Sequence, residues 1–271
     1  MKTTLVGNFL ISFLIIPALA AGATLGYGSV LDVRERRVPF RTWYPMLIIG
    51  GPFTALFYGL LAFQGNLGLA FSFLALTVIF SVIFYLFARF GLFGGADAWA
   101  LIFIAVLIPA FPFIPLLGLP PLAFFPFSVL INAVVLNLFV PVGIFAFNVK
   151  NGSSAPFPYM FLGFPVEGAR IGESHGFVME EITEDEGGLH RRFIGIGESL
   201  RGMASGEGRI YTLDIRRNPE KYSGELELFR KAGKVWISYG VPFIVPITAG
   251  FFSALLVGDI IFYLLSVLIG G

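Results

Sequence analysis

A chain of 271 residues that is 56% hydrophobic, 16% aromatic and only 13% charged falls outside the composition of soluble domains, where about a quarter of residues carry charge. Its formal net charge of +1 argues against a nucleic-acid partner held by phosphate neutralisation. The absence of cysteine excludes disulfides, thiolate nucleophiles and Cys-based metal sites. The charge is also unevenly placed. Residues 149–239 hold 12 of the 18 Lys/Arg, 13 of the 17 Asp/Glu and both His, so the chain reads as a membrane body with one soluble insertion.

In chain order, stretches near the roughly 20 apolar residues that a crossing helix needs are expected at 5–30, 43–63, 67–89, 97–117, 122–147 and 241–269. The first begins MKTTLVGNFLISFLIIPALAAGA, with the lysine, apolar centre and small residues of a cleaved signal peptide. Because the apolar run continues through Gly22–Leu31, an uncleaved first span is expected instead. Between the fourth and fifth spans, Pro109, Pro112, Pro115, Pro120 and Pro121 read as a broken outer turn. In the insertion, the short alternating stretches GFVMEEI, RRFIGIG and RIYTLDIRR suggest a small β subdomain, with Gly187-Gly188 or Gly206 in turns.

The expected fold is therefore an all-α polytopic membrane protein of about six transmembrane helices. Residues 1–148 form the membrane domain with spans one to five, 149–239 a β-containing cytosolic insertion, and 240–271 the last helix. Basic residues in short loops stay inside. Arg34, Arg36, Arg37 and Arg41 after the first span, and Arg89 after the third, place both loops and the insertion in the cytoplasm, outweighing Lys2 on the outer face.

Outside the insertion only four acids remain: Asp32, Glu35, Asp97 and Asp259. Asp32 ends the first span and Asp97, in FGGADAWAL, starts the fourth. Two crossings separate them, so both lie at the same membrane boundary. Taken singly, Asp97 reads equally well as a helix cap. Asp32 reads as an interfacial partner of Arg34 or Arg36, although an acid at a helix C-terminus opposes the dipole. Taken together, two carboxylates in one dry site share a proton: one activates water and the other polarises a carbonyl. Their titration belongs to the pair. Gly94 and Gly95 leave room for close backbone approach. Asp259 lies about 27 Å along the last span from Val241, near the opposite face. It reads as an outer-boundary acid or a local polar contact.

SVLDVRERRVPFRTWYP and FGGADAWAL resemble the paired signatures of the type IV prepilin peptidases, membrane aspartyl proteases with a Gly-x-Gly-Asp motif. VWISYGVPFIVPITAGFF is similar to the entry into the last span in their archaeal branch, the preflagellin (archaellin) peptidases. Ala96 stands where the motif has its second glycine. The resemblance implies six spans with a cytosolic domain before the last, and an aspartic endopeptidase of the plasma membrane with its active site facing the cytoplasm. Asp32 and Asp97 would be catalytic, and Gly94, Gly95 and Ala96 would shape the substrate-binding loop. Its partners would be membrane lipids and pilin-like or archaellin precursors, which lose a short basic leader peptide. No cofactor and no metal is implied; His175 and His190 match no metal spacing. The insertion would be a spacer, a regulatory domain or an aid to docking the leader.

Three other functions bear on the same acids. A transporter or channel would line an ion path with Asp32, Asp97 and Asp259, but would call for acids at mid-membrane depth and an internal repeat. A presenilin-like intramembrane protease would have a Tyr-Asp pair within a span and a Pro-Ala-Leu motif late in the chain, and neither stands there. A structural membrane subunit leaves the matched aspartates without a role.

Overall fold

The computed structural model describes residues 12–90, 92–195, 197–198, 210–238 and 243–269. In chain order its elements begin with α1 (Ile15–Glu35), α2 (Tyr44–Phe63), α3 (Leu67–Arg89), α4 (Gly95–Leu107), α5 (Phe125–Asn137) and α6 (Phe139–Lys150). There follow α7 (Tyr159–Leu162), β1 (Gly163–Glu167), β2 (Glu180–Asp185), β3 (Gly188–Phe193), α8 (Thr212–Arg217), α9 (Ser223–Ala232) and β4 (Lys234–Ser238). The chain closes with α10 (Ile244–Leu256) and α11 (Ile260–Ile269). Two compact units result: Met1–Asn137 with Pro242–Gly271, and Leu138–Val241.

The first unit is a bundle whose outer helices carry apolar side chains outward, including Leu19, Ile48, Phe63, Phe71 and Ile79. An apolar surface of this extent suits lipid rather than water. Among the described residues, four helical stretches are long and apolar enough to cross a membrane: Ile15–Glu35, Phe40–Phe63, Leu67–Arg89 and Phe125–Lys150. The pair α10 and α11, bent by 55°, makes a fifth if taken as one span. The protein is thus a multi-pass, mostly helical membrane protein with a small sheet-containing insertion before its C-terminal helices.

The expected fourth span, 97–117, is helical only over the 13 residues of α4. That is about 20 Å at 1.5 Å per residue, short of the roughly 30 Å hydrocarbon core. Proline stops it. Ile108, which precedes Pro109, leaves the helical region at φ −134°, ψ 70°, because a proline ring clashes with a helical predecessor. The backbone that follows is buried in protein from Ile108 to Pro112 and pairs Ala110 with Phe124. Irregular backbone at membrane depth is tolerated only with such cover. Helix α4 itself buries Ala98, Ala100 to Ala105 and Leu107, and α1, α2, α3, α5 and α10 all pack on it. A helix apolar all round belongs in a core.

Small residues allow the close helix contacts. A Cβ added to Gly250 of α10 would lie 2.5 Å from the Ala133 nitrogen and 2.6 Å from the Val129 oxygen of α5. Only glycine permits that approach. Helices α1 and α10 run antiparallel, since Gly22 lies against Phe251 and Phe252 while Asp32, ten residues on, meets Ile244.

In the second unit, β1 pairs antiparallel with β4, and β2 with β3, over an apolar cluster of Ile171, Val178, Ile182, Ile215, Phe229, Val235 and Ile237. Glu180, the first residue of β2, is buried. Its carboxylate accepts from Arg191 at 2.8 and 3.0 Å and from the Trp236 N–H at 2.8 Å, satisfying a charge that would otherwise be costly. The β2–β3 hairpin turns at Glu186-Gly187, with Gly188 at φ +113°. RIYTLDIRR, expected as a strand, instead forms α8 over Thr212–Arg217. Thr212 and Ile215 are its buried positions, and their spacing of three is helical. Gly206 lies outside the described residues.

Candidate active site

Asp32 stands one turn from the C-terminus of α1. The helix ends because Arg36 adopts the left-handed conformation at φ +53°, its N–H donating to the Asp32 carbonyl at 3.1 Å. A left-handed C-cap is usually glycine, so an arginine there carries local strain. The chain then turns through a short 3₁₀ helix, Phe40–Trp43, anchored by the fully buried Trp43. Its ring lies against Gly28 of α1 and Phe103 of α4. This anchor returns the chain into α2 beside the end of α1.

The half-buried Asp32 carboxylate accepts a hydrogen bond from the Ile244 N–H, the first residue of α10, at 3.3 Å. The positive end of a helix dipole therefore points at it. The Arg36 guanidinium also interacts with this carboxylate electrostatically.

Asp97 occupies the first turn of α4, whose N-cap is Gly94. Its carboxylate folds back over that glycine: a Cβ at position 94 would collide with Asp97 Oδ2. Gly94 is thus required by its own neighbour. A Cβ at Gly95 would meet nothing within 4 Å, so Gly95 faces open space beside the carboxylate. Ala96 packs against the membrane-unit core.

Two aromatic rings join the starts of α4 and α10. Phe93, just before Gly94, makes an edge-to-face contact with Phe243, just before Ile244, with centroids 5.2 Å apart. Asp32 is bonded to one side of this contact and Asp97 follows the other. The two carboxylates lie within Coulombic range of each other. Sequence reasoning found both acids and missed Phe93, Phe243 and the Ile244 N–H. Nothing local to residues 243–244 announces a contact with a residue more than 200 positions earlier.

Asp259 lies elsewhere. It follows the far end of α10, is 5% exposed, and accepts from Ser128 Oγ at 3.0 Å and from the Phe262 N–H at 2.9 Å. It caps α11 at the bend, next to Gly258 at φ +112°. Asn132 completes the joint, donating to the Gly258 carbonyl at 2.7 Å and accepting from the Ile260 N–H at 3.1 Å. This is the local polar contact. Asp32, Asp97 and Asp259 line no common path.

The fold and site define a multi-pass membrane protein with two carboxylates gathered at one end of its helix bundle. Comparison with known families gives the class a name. The model of the Type IV leader peptidase family matches residues 19–142, and that of the Archaeal Peptidase A24 C-terminus Type II matches residues 155–260. Together the two models cover most of the chain, which is similar to the type IV leader peptidases and is a peptidase. It is 26% identical over 240 residues to a preflagellin peptidase of Methanococcus voltae, covering 85% of this chain and 90% of that one. It is also 26% identical over 243 residues to a preflagellin peptidase of Methanocaldococcus jannaschii, covering 85% and 89%.

Proposed function

We propose that this protein is an aspartic endopeptidase of the plasma membrane that removes leader peptides from archaellin or type IV pilin-like precursors, with Asp32 and Asp97 as its catalytic pair at the cytoplasmic face. One observation carries the reading. Asp32 and Asp97 begin 65 positions apart and yet come within Coulombic range, beside a glycine that opens onto free space. The preflagellin peptidases to which the chain is similar supply the substrate class.

Two carboxylates in a poorly solvated site hold one proton between them. The ionised one takes a proton from a water, whose oxygen attacks the scissile carbonyl carbon. The protonated one donates to the carbonyl oxygen, giving a tetrahedral diol. Its collapse breaks the C–N bond as a carboxyl proton passes to the departing amine. The open side at Gly95 admits an extended substrate backbone. The α10 N-terminus and the Arg36 guanidinium both favour negative charge on Asp32.

The test is cleavage of a precursor by purified Asp32→Asn and Asp97→Asn variants. Asn keeps the shape of Asp and can still cap a helix, so Asp97→Asn separates capping from catalysis. A general acid or base contributes about 10²–10⁴-fold, and members of one catalytic unit are not additive. Each single change is expected to lower kcat by about that factor in a folded protein, and the double change to be little worse. Substantial cleavage by either variant rejects the pair.

A further inference from the structure

The N–H that reaches Asp32 belongs to a residue held at both of its backbone groups. Thr248 sits one turn along α10 from Ile244, and its hydroxyl donates to the Ile244 carbonyl at 2.8 Å. The Ser29 hydroxyl, one turn before Asp32 on α1, lies 2.8 Å from Thr248 Oγ1. With the Thr248 proton directed at Ile244, Ser29 is the donor of that bond. A continuous path results: Ser29 O–H to Thr248 Oγ1, Thr248 O–H to the Ile244 carbonyl, Ile244 N–H to Asp32 Oδ2. It starts and ends on α1, one helical turn apart. The Ser29–Thr248 hydrogen bond is a polar tie between the two helices; with its one proton on the Ile244 carbonyl, Thr248 has none for the Leu25 carbonyl 3.3 Å away.

The surroundings leave α10 few other ways to hold its height on α1. The glycine contacts of this interface are apolar: Gly22 against Phe251 and Phe252, and Gly28 against Ile244. Apolar contacts between helices in lipid fix separation better than register, because sliding exchanges one apolar neighbour for another and the lipid is apolar too. A directed hydrogen bond has a steep distance and angle dependence. A slide of even part of a residue along α10 would take the Ile244 N–H out of reach of Asp32, since that bond is already 3.3 Å long.

We infer that Ser29 and Thr248 are positioning residues for the catalytic pair: they set the register of α10 on α1 and so hold the α10 N-terminus on Asp32. This inference rests on the reading of Asp32 as catalytic. It assigns a role in turnover to two hydroxyls that touch neither substrate nor the reacting atoms. Their loss therefore acts on kcat, through the aim of the Ile244 N–H, and leaves substrate affinity nearly unchanged.

The experiment uses the full-length protein in detergent or liposomes with a precursor substrate, and measures kcat and KM separately for Thr248→Val, Thr248→Ser, Ser29→Ala and the Ser29→Ala/Thr248→Val double variant, with Asp32→Asn alongside. One interhelical hydrogen bond in a membrane protein corresponds to a change of about three- to tenfold. Thr248→Val is expected to lower kcat by about that factor with KM within about twofold. Thr248→Ser, which restores only the hydroxyl, is expected to return kcat to within about twofold of the parent. Because the two hydroxyls act as one tie, the double variant is expected to match Thr248→Val. Parental kcat in Thr248→Val, or failure of Thr248→Ser to rescue, overturns the inference. If Thr248→Val does not fold, unchanged kcat in Ser29→Ala overturns it as well. An active Asp32→Asn variant would reject the catalytic reading itself, whereas an inactive Asp32→Asn beside a fully active Thr248→Val rejects only the positioning role.

Discussion

Adjacent glycines at 94 and 95 do different work. At Gly94 the space for a Cβ is taken by the Asp97 carboxylate, so any side chain there must push the acid from its place. At Gly95 the same space is empty. Displacing a reacting group by about 1 Å can cost 10²-fold in rate. Gly94→Ala is therefore expected to lower kcat by up to about that factor while the protein still folds. Gly95→Ala is expected to fold with parental stability and to raise KM, because its methyl enters the open side that substrate would use. Measuring kcat and KM for both variants, with thermal unfolding in detergent, checks the contrast; equal effects from the two would contradict it. Ala96 takes no part in that contrast. It packs on the core and leaves the Gly94–Asp97 contact untouched.

The last membrane segment is two helices with separate duties. Helix α10 brings its N-terminus to Asp32, and α11 begins at a capped bend. Gly258, in a conformation that favours glycine, makes the turn, while Asp259 and Asn132 satisfy the freed backbone groups. Unsatisfied groups at that depth would cost several kcal/mol each. Removing the Asp259 side chain strands the Ser128 hydroxyl and the Phe262 N–H, at about 1–3 kcal/mol for a buried unsatisfied group. Asp259→Ala is thus expected to lower the melting temperature clearly, and Asp259→Asn to lower it less, since Asn can still cap. Both should keep cleavage in the folded fraction, because Asp259 is at the other end of α10 from Asp32, in the proposed pair. Thermal melts paired with precursor cleavage decide the matter. Loss of turnover in folded Asp259→Asn, as complete as in Asp32→Asn, would place Asp259 in the chemistry.

For the whole molecule, the charges of the short loops bear on which side of the membrane the site faces. Arg34, Arg36, Arg37 and Arg41 follow α1 and Arg89 closes α3, at the end of the bundle that holds Asp32 and Asp97. By the positive-inside bias that end is expected to face the cytoplasm. Because the chain has no cysteine, single cysteines report sidedness without background. Met160→Cys and Ser205→Cys are expected to resist an impermeant thiol reagent added to intact cells and to react after lysis. Labelling from outside would reverse the orientation and remove precursors presented at the inner face as substrates.

Composition and order along the chain were enough to reveal a membrane body, a polar insertion and two acids at one end of the helix bundle. These depend on local runs of side chains and on counting crossings, and both are one-dimensional properties. The hairpin at Gly187-Gly188 was legible for the same reason, whereas α8 was not: a six-residue segment fits alternation and helical spacing almost equally until packing chooses which residues to bury. The end of α4 at Leu107 depended on how much helix a proline-rich stretch can sustain under protein cover, and the bend at Gly258 on partners supplied by α5. Likewise, the Ile244 N–H on Asp32 joins residues 212 positions apart, and the Phe93–Phe243 contact beside it joins residues 150 apart. Such pairings have no local signature, because they are set by the register of helices that meet only after the bundle has packed.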